Sequence, residues 1–425
     1  MKTSSTPARN RTPLMALYTA NAISMVGNML TAIAIPWFVL ETTHSATQTG
    51  ITGFFSILPV VVAGLFGGAL IDRLGYQRTS IIADLASGVT VALVPVLYFT
   101  VGLQFWQLMV LVFFGALLDA PGSTARSALV PDLAELAGMP IERATATSQV
   151  IERGSRLIGA PLAGLLIAIM GTANVLWLDA ASFLVSAGLV VLFVNIPAAR
   201  PSAMPHGKYF QELGDGLKFL FRDRLILALV IFVMLTNSLD AAYSSVVRPV
   251  YVSQVFGSAL VLGLIIAANG GGAVLGAIIY GAIGHRLPRH ATFVSMFMLT
   301  SLRFWVMALY PSLAIILIAT FVASIGAGPL NPIIDSIEYE RIPPYMRGRV
   351  FGTITASVWA AMPLGTLLGG LVTEQFGVQL VLIMIGAIYF LTTLSMAFIP
   401  VMRQMDQRKT NLTLNSAGIA GDYSD

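Results

Sequence analysis

GALIDRLGYQR, residues 68–78, joins two apolar runs, 52–71 and 81–101, each long enough as a helix to cross a hydrocarbon core of about 30 Å. Its polar centre is short: Asp72 and Arg73 stand between Gly68 and Gly75, with Arg78 just beyond. Gly75 allows a tight turn, Gly68 lets a neighbouring helix come close, and Asp72 can face a helix N-terminus or a basic side chain. A bracket of this kind between two spans is a loop of a polytopic membrane protein.

Outward from it the same pattern repeats. Apolar runs fall at 13–40, 52–71, 81–101, 106–127, 144–170 and 175–196, then at 225–247, 259–283, 291–310, 313–334, 350–372 and 378–402. Only 10% of the residues are charged and 56% are hydrophobic, against roughly a quarter charged in a soluble domain, so lipid is the main solvent. The expected fold class is an all-α membrane protein of 12 transmembrane helices. The net charge of +4 does not point to nucleic acid, because the basic residues follow membrane topology. Lys2, Arg9 and Arg11 precede the first run; Arg73, Arg78, Arg126 and Arg143 follow the second and fourth. Lys208, Lys218, Arg222 and Arg224 lie in the central break, and Arg286, Arg289, Arg341, Arg347, Arg349, Arg403, Arg408 and Lys409 continue the alternation. The alternate loops 42–50 and 373–377 hold no Lys or Arg, which predicts cytoplasmic termini and a cytoplasmic central break. The leader before Leu14 lacks a cleavage pattern, so the first run reads as a retained helix. With no cysteine, disulfides and thiolate metal sites are excluded.

The break at 197–224 divides the chain into two six-helix bundles, expected at 13–196 and 225–402, with cytoplasmic tails at 1–12 and 403–425. Within the break Phe210, Leu213, Leu217 and Leu220 recur at helical spacing opposite Glu212, Asp215, Lys218 and Arg222, which describes an amphipathic interfacial helix. APLAGLL at 160–166 in the fifth run matches MPLGTLL at 362–368 in the eleventh, a trace of pseudo-symmetry between the bundles.

The bracket at 68–78 resembles the signature of the major facilitator superfamily, G-x-L-a-D-r-x-G-r-k, at Gly68, Leu70, Asp72, Arg73 and Gly75; Tyr76 and Gln77 depart from it, and Arg78 supplies a nearby charge. The resemblance implies that this loop latches the two halves on the cytoplasmic side. The fifth run partly matches the antiporter signature g-x-x-x-G-P-x-x-G-G: Gly159, Pro161 and Gly164 suit a pliable hinge or close packing, while Ala160 and Leu165 replace two glycines and Arg156 stands at the first. Gly27, Asn28 and Pro36, the segment from Arg126 to Pro131, Arg347 to Val350 and Pro363 to Gly365 are similar to the 12-helix drug:proton antiporter branch, which holds Tap-type multidrug exporters, macrolide exporters and the enterobactin exporter. That resemblance implies a bacterial inner-membrane secondary transporter, not an enzyme, moving a small organic compound against protons by alternating access and functional as a monomer, without a cofactor. Multidrug efflux and dedicated export of one metabolite such as a siderophore both remain open. A phosphate-binding G-x-x-x-x-G-K-S/T loop and H-E-x-x-H are absent from the sequence.

Ionisable groups within spans are costly and mark functional candidates. They are Asp119, Glu152, Arg153, Arg156, Asp179, Asp240 and Arg303, with Asp84 near a membrane edge; His44, His206, His285 and His290 fall in loops. Proton coupling therefore falls to carboxylates, with Asp119, Asp240 and Glu152 as candidates. By depth along their helices, Arg153 and Arg156 are candidate partners for Asp119. The resemblance places the first and fourth helices of each half on the cavity wall, which puts Asn21 and Asn28 beside Asp119 and makes Asp179 and Arg303 scaffold residues. Trp37, Trp106, Trp177, Trp305 and Trp359 suit packing or interface anchoring.

Overall fold

The computed structural model describes residues 10–194 and 209–407, with the side chains of all of these except 65–70, 72, 73 and 209–213. Twelve helices among them are long and apolar enough to cross a membrane. Spans 1 to 6 are Thr12–Thr43, Ala46–Leu74, Tyr76–Thr100, Phe105–Ala137, Ile141–Met170 and Thr172–Phe193. Spans 7 to 12 are Arg224–Val255, Ala259–Arg286, Arg289–Ala308, Leu313–Arg341, Pro344–Phe376 and Val378–Phe398. Helices satisfy every backbone group within the segment, which lipid demands. Spans 1 to 5 carry internal prolines at 36, 59, 95, 121, 131 and 161 and remain helical through them.

Each half is a bundle. Span 1 packs on spans 5 and 6 and span 3 on spans 4 and 6; in the second half span 7 packs on span 11, span 8 on span 10, and span 9 on spans 10 and 12. The halves meet through span 2 on span 11 and span 5 on span 8. The closest glycine approaches between the halves lie toward the end of the molecule remote from Asn10, called here the far end; the opposite end, rich in Lys and Arg, is the basic end. A Cβ on Gly370 would stand 2.8 Å from Gly50 Cα and 2.7 Å from the Ala46 carbonyl, and one on Gly263 would stand 3.1 Å from Pro161 Cα. Only glycine permits this approach. Glu374 of span 11 adds a polar clasp there, accepting from Thr47 N–H at 3.1 Å and Ser45 Oγ at 3.2 Å at the first turn of span 2, where a helix N-terminus favours a carboxylate.

Between the halves the helix Tyr209–Arg222 docks on the second bundle. Leu220 is buried with Ile226, Val230, Ile342, Val350 and Ile354, Phe221 is exposed, and Arg349 reaches Asp215 at 3.8 Å. Asp223 then caps span 7, accepting from Leu225 and Ile226 N–H, and is held by Arg341 at 3.0 Å.

Several boundaries differ from the sequence reading, and two of the differences matter. Span 4 continues through Pro131 to Ala137, so Arg126 is not a loop residue but a buried one about 17 Å inside the helix. Span 7 continues to Val255, which places Arg248 within it. His290, expected in a loop, lies in the first turn of span 9 with its ring nitrogen 3.1 Å from the Met396 carbonyl; His206 lies outside the described residues.

Candidate functional site

A polar network fills the core of the first half. It is built from span 1, whose residues 21, 24, 28 and 31 share one face at helical spacing, and from spans 3, 4 and 6. Arg126 is its centre. The guanidinium donates through Nη1 to Asp84 Oδ1 at 2.5 Å, through Nε to Asn21 Oδ1 at 3.2 Å, and through Nη2 to Ser24 Oγ at 3.4 Å. Ser186 of span 6 donates to the other Asp84 oxygen at 2.7 Å. Arg126 Nη2 also lies 3.9 Å from Asp119 Oδ1, two turns up its own helix, while Asn28 Nδ2 donates to Asp119 Oδ2 at 3.0 Å. Asp84 and Arg126 are sealed from solvent, whereas about a quarter of the Asp119 side chain is exposed.

One turn further along span 1, Thr31 donates to Asp179, which also accepts from Ser182 at 3.1 Å. Gly27 makes room for that pair, since a Cβ there would collide with both Asp179 and Ser182. Asp179 has hydroxyl partners and, among the described residues, no ion pair.

The network brings together Asp119, Asn21 and Asn28 as the sequence suggested. It replaces their expected partners. Arg156 pairs with Glu152 at 2.8 Å, both side chains open, and neither Arg153 nor Arg156 pairs with Asp119. They occupy the wrong face: Ser155, not Arg153 or Arg156, turns toward span 1, its hydroxyl 3.5 Å from the Ala22 carbonyl. The cation that serves Asp119 is Arg126. Sequence spacing held the signal, because residues 119 and 126 are seven apart and share a helix face; an early end assigned to span 4 hid it.

Gly159 packs on Met29 of span 1, and Gly164 and Pro161 form the contact with span 8 at Leu260 and Gly263. Of the 68–78 bracket, Gly68 lies in the helical backbone of span 2, Gly75 adopts φ +79°, joining span 2 to span 3, and Arg78 is exposed; the side chains of Leu70, Asp72 and Arg73 lie outside the described residues. In the second half Arg303 is more than scaffold, as it forms the ion pair with Asp240.

A family model described as "Transmembrane secretion effector" matches residues 3–418. The chain belongs to this major facilitator family. It is 29% identical over 404 residues to the multidrug efflux pump Tap of Mycolicibacterium fortuitum, covering 93% of this chain and 98% of the other. It is 20% identical over 396 residues to macrolide efflux protein A of Streptococcus pyogenes, covering 92% and 96%. Among solved structures, the nucleoside transporter NupG (D323A mutant) matches with a TM-score of 0.76 at 13% identity, over 92% of this chain and 99% of that one. A bacterial homologue of the human lysosomal transporter Spinster, in an inward-facing and unoccupied conformation, matches with a TM-score of 0.71 at 12% identity, over 95% and 98%. This major facilitator is thus a multi-pass membrane transporter of small molecules, not an enzyme.

Proposed function

We propose that this transporter exports amphipathic organic compounds across the bacterial inner membrane in exchange for protons. The observation that carries the reading is the grouping of Asp84, Asp119 and Arg126: two carboxylates share one guanidinium inside a bundle, leaving one negative charge in excess. A proton is the smallest species that removes this excess, and Asp119, the partly exposed member, is where it would bind. Arg126 then works as the switch. With Asp119 charged, the guanidinium is divided between two carboxylates; with Asp119 protonated, it belongs to Asp84 alone, and the tie between the two ends of the network slackens. A change of this kind in a packed bundle can bias one arrangement of the halves over another.

The positive-inside rule puts the basic end in the cytoplasm, with both termini. The far-end glycine seams and the Glu374 clasp are then the outer gate, and the described state is closed to the outside. In this reading substrate enters from the cytoplasm, the bundles rock about the central network, and the gate opens outward. Each bundle and both seams come from one chain, which supports a monomer as the working unit.

The reading is tested by uptake of ethidium into inverted membrane vesicles. An imposed pH gradient, acid inside, should drive accumulation that a protonophore abolishes. Uptake indifferent to the gradient would refute proton exchange, and the absence of any uptake across several unrelated amphipaths would refute broad export.

A further inference from the structure

Span 7 carries a second charge cluster of opposite balance. Asp240 accepts from Arg303 of span 9. Arg248, about two turns further along span 7, makes no ion pair among the described residues, and its one described hydrogen bond is from Nη2 to the Ser244 carbonyl at 3.4 Å. Its Nε is buried and has no acceptor, and the same holds for Nε of Arg303. Arg248 is 9% exposed and Arg303 7%. Both guanidinium groups lie over the ring of Tyr243, at 5.4 and 5.2 Å from its centroid. Two cations therefore face one carboxylate, and buried N–H groups of both are unspent.

The backbone explains part of what Arg248 does. Span 7 makes a π turn over Tyr243–Val247, in which Arg248 N–H donates to the Tyr243 carbonyl. Pro249 follows and has no N–H. The Ser244 carbonyl thus loses both backbone donors within reach, and the Arg248 guanidinium replaces them. That task needs one N–H and no charge, so glutamine would serve it. π turns are frequent at functional sites. Residues 237, 240, 244 and 248 recur on one face of the span; Asn237 and Asp240 are partly exposed there and Ser244 is exposed, while Arg248 lies deepest, toward the far-end seal.

We propose that Arg248, supported by Arg303, is the subsite for the anionic group of an exported amphipath, a carboxylate or another singly charged oxyanion. The proposal rests on the export reading above and gives amphipaths that carry such a group an added point of attachment, which cationic and neutral cargo do not use. A guanidinium holds a planar oxyanion through paired N–H donors, a match that an ammonium or a neutral amide does not reproduce. Binding would also cancel the surplus positive charge that the cluster holds inside the membrane. The first half supplies excess negative charge for a proton; the second supplies excess positive charge for the cargo.

The test is equilibrium binding to the full-length protein in detergent, with fusidate as an amphipathic carboxylate, its methyl ester as the neutral counterpart, and ethidium as a cation. Wild type should bind fusidate at least about tenfold more tightly than the ester. Arg248→Gln, which keeps the donor for Ser244, should lose about tenfold or more in fusidate affinity and keep ethidium affinity within about twofold; Arg248→Lys, which keeps the charge without the paired donors, should recover only part of the lost fusidate affinity. Equal binding of acid and ester by wild type overturns the subsite without any variant having to fold. Unchanged fusidate binding by Arg248→Gln overturns it as well. Failure of pH-driven ethidium uptake in inverted vesicles sinks the export reading instead, and the binding comparison still decides the anion site.

Discussion

Arg126 and Asp84 form a 2.5 Å ion pair with both side chains out of contact with solvent, and Asp119 stands at the edge of that pair, 3.9 Å from the same guanidinium. The two carboxylates therefore hold unequal shares of one cation, and the difference sorts structure from function. Asp84 has Arg126 and Ser186 as close partners and no outlet. Asp119 has a neutral amide, Asn28, on one oxygen and, on the other, a long ionic contact with no hydrogen bond among the described residues, and about a quarter of its side chain is exposed.

Asp84→Asn and Asp119→Asn should accordingly differ in stability. Removing Asp84 leaves a buried guanidinium without its main counter-ion, a loss of about 3 to 5 kcal/mol where such pairs have been broken elsewhere. Asp119→Asn keeps a partner for Asn28 and should cost no more than about 1 kcal/mol. Thermal melting in detergent separates the two; equal destabilisation would mean that Asp119 is a structural member of the pair.

At the far end, Gly370→Val should wedge the seam between spans 2 and 11, because the added side chain meets Gly50 and the Ala46 carbonyl. Thr49 is fully buried beside that seam. In this cysteine-free chain, Thr49→Cys should react with an impermeant thiol reagent from outside several-fold faster when combined with Gly370→Val, with transport lost. An unchanged labelling rate would show that the seam does not control access.

The assignment of the basic end to the cytoplasm has its own check. Cysteines at Ser5, Ser202 and Ser416 should resist an impermeant reagent in intact cells, and Thr42→Cys, exposed at the end of span 1, should react. Labelling of Ser202→Cys from outside would invert the topology and with it the direction of transport.

The fold was legible because lipid imposes a simple rule: a helix about 20 apolar residues long for every crossing. The Lys and Arg distribution and the 68–78 bracket carried the rest. The site was legible only in part. The apolar run read from the sequence ends at 127, which puts Arg126 and the hydroxyl residues Ser123, Thr124 and Ser127 at its edge. In the structure these hydroxyls donate to carbonyls of their own helix: Ser123 and Thr124 to Ala120, and Ser127 to Ser123. They do not end the helix. Arg248 was passed over for a related reason, since Pro249 reads as a terminator while span 7 absorbs it in a π turn. Partners such as Arg303 for Asp240 come from different helices, and one-dimensional spacing carries no information on which helix faces which.

Coupling through Asp119 is tested most directly in inverted vesicles loaded with purified protein, by comparing pH-driven ethidium uptake with ethidium exchange at equal pH on both sides. Asp119→Asn removes the proposed proton site, and the account expects the bundle and the seams to stay in place. The account predicts exchange within about twofold of wild type together with loss of gradient-driven accumulation by roughly tenfold or more. Full accumulation under a pH gradient by a well-folded Asp119→Asn protein would contradict it.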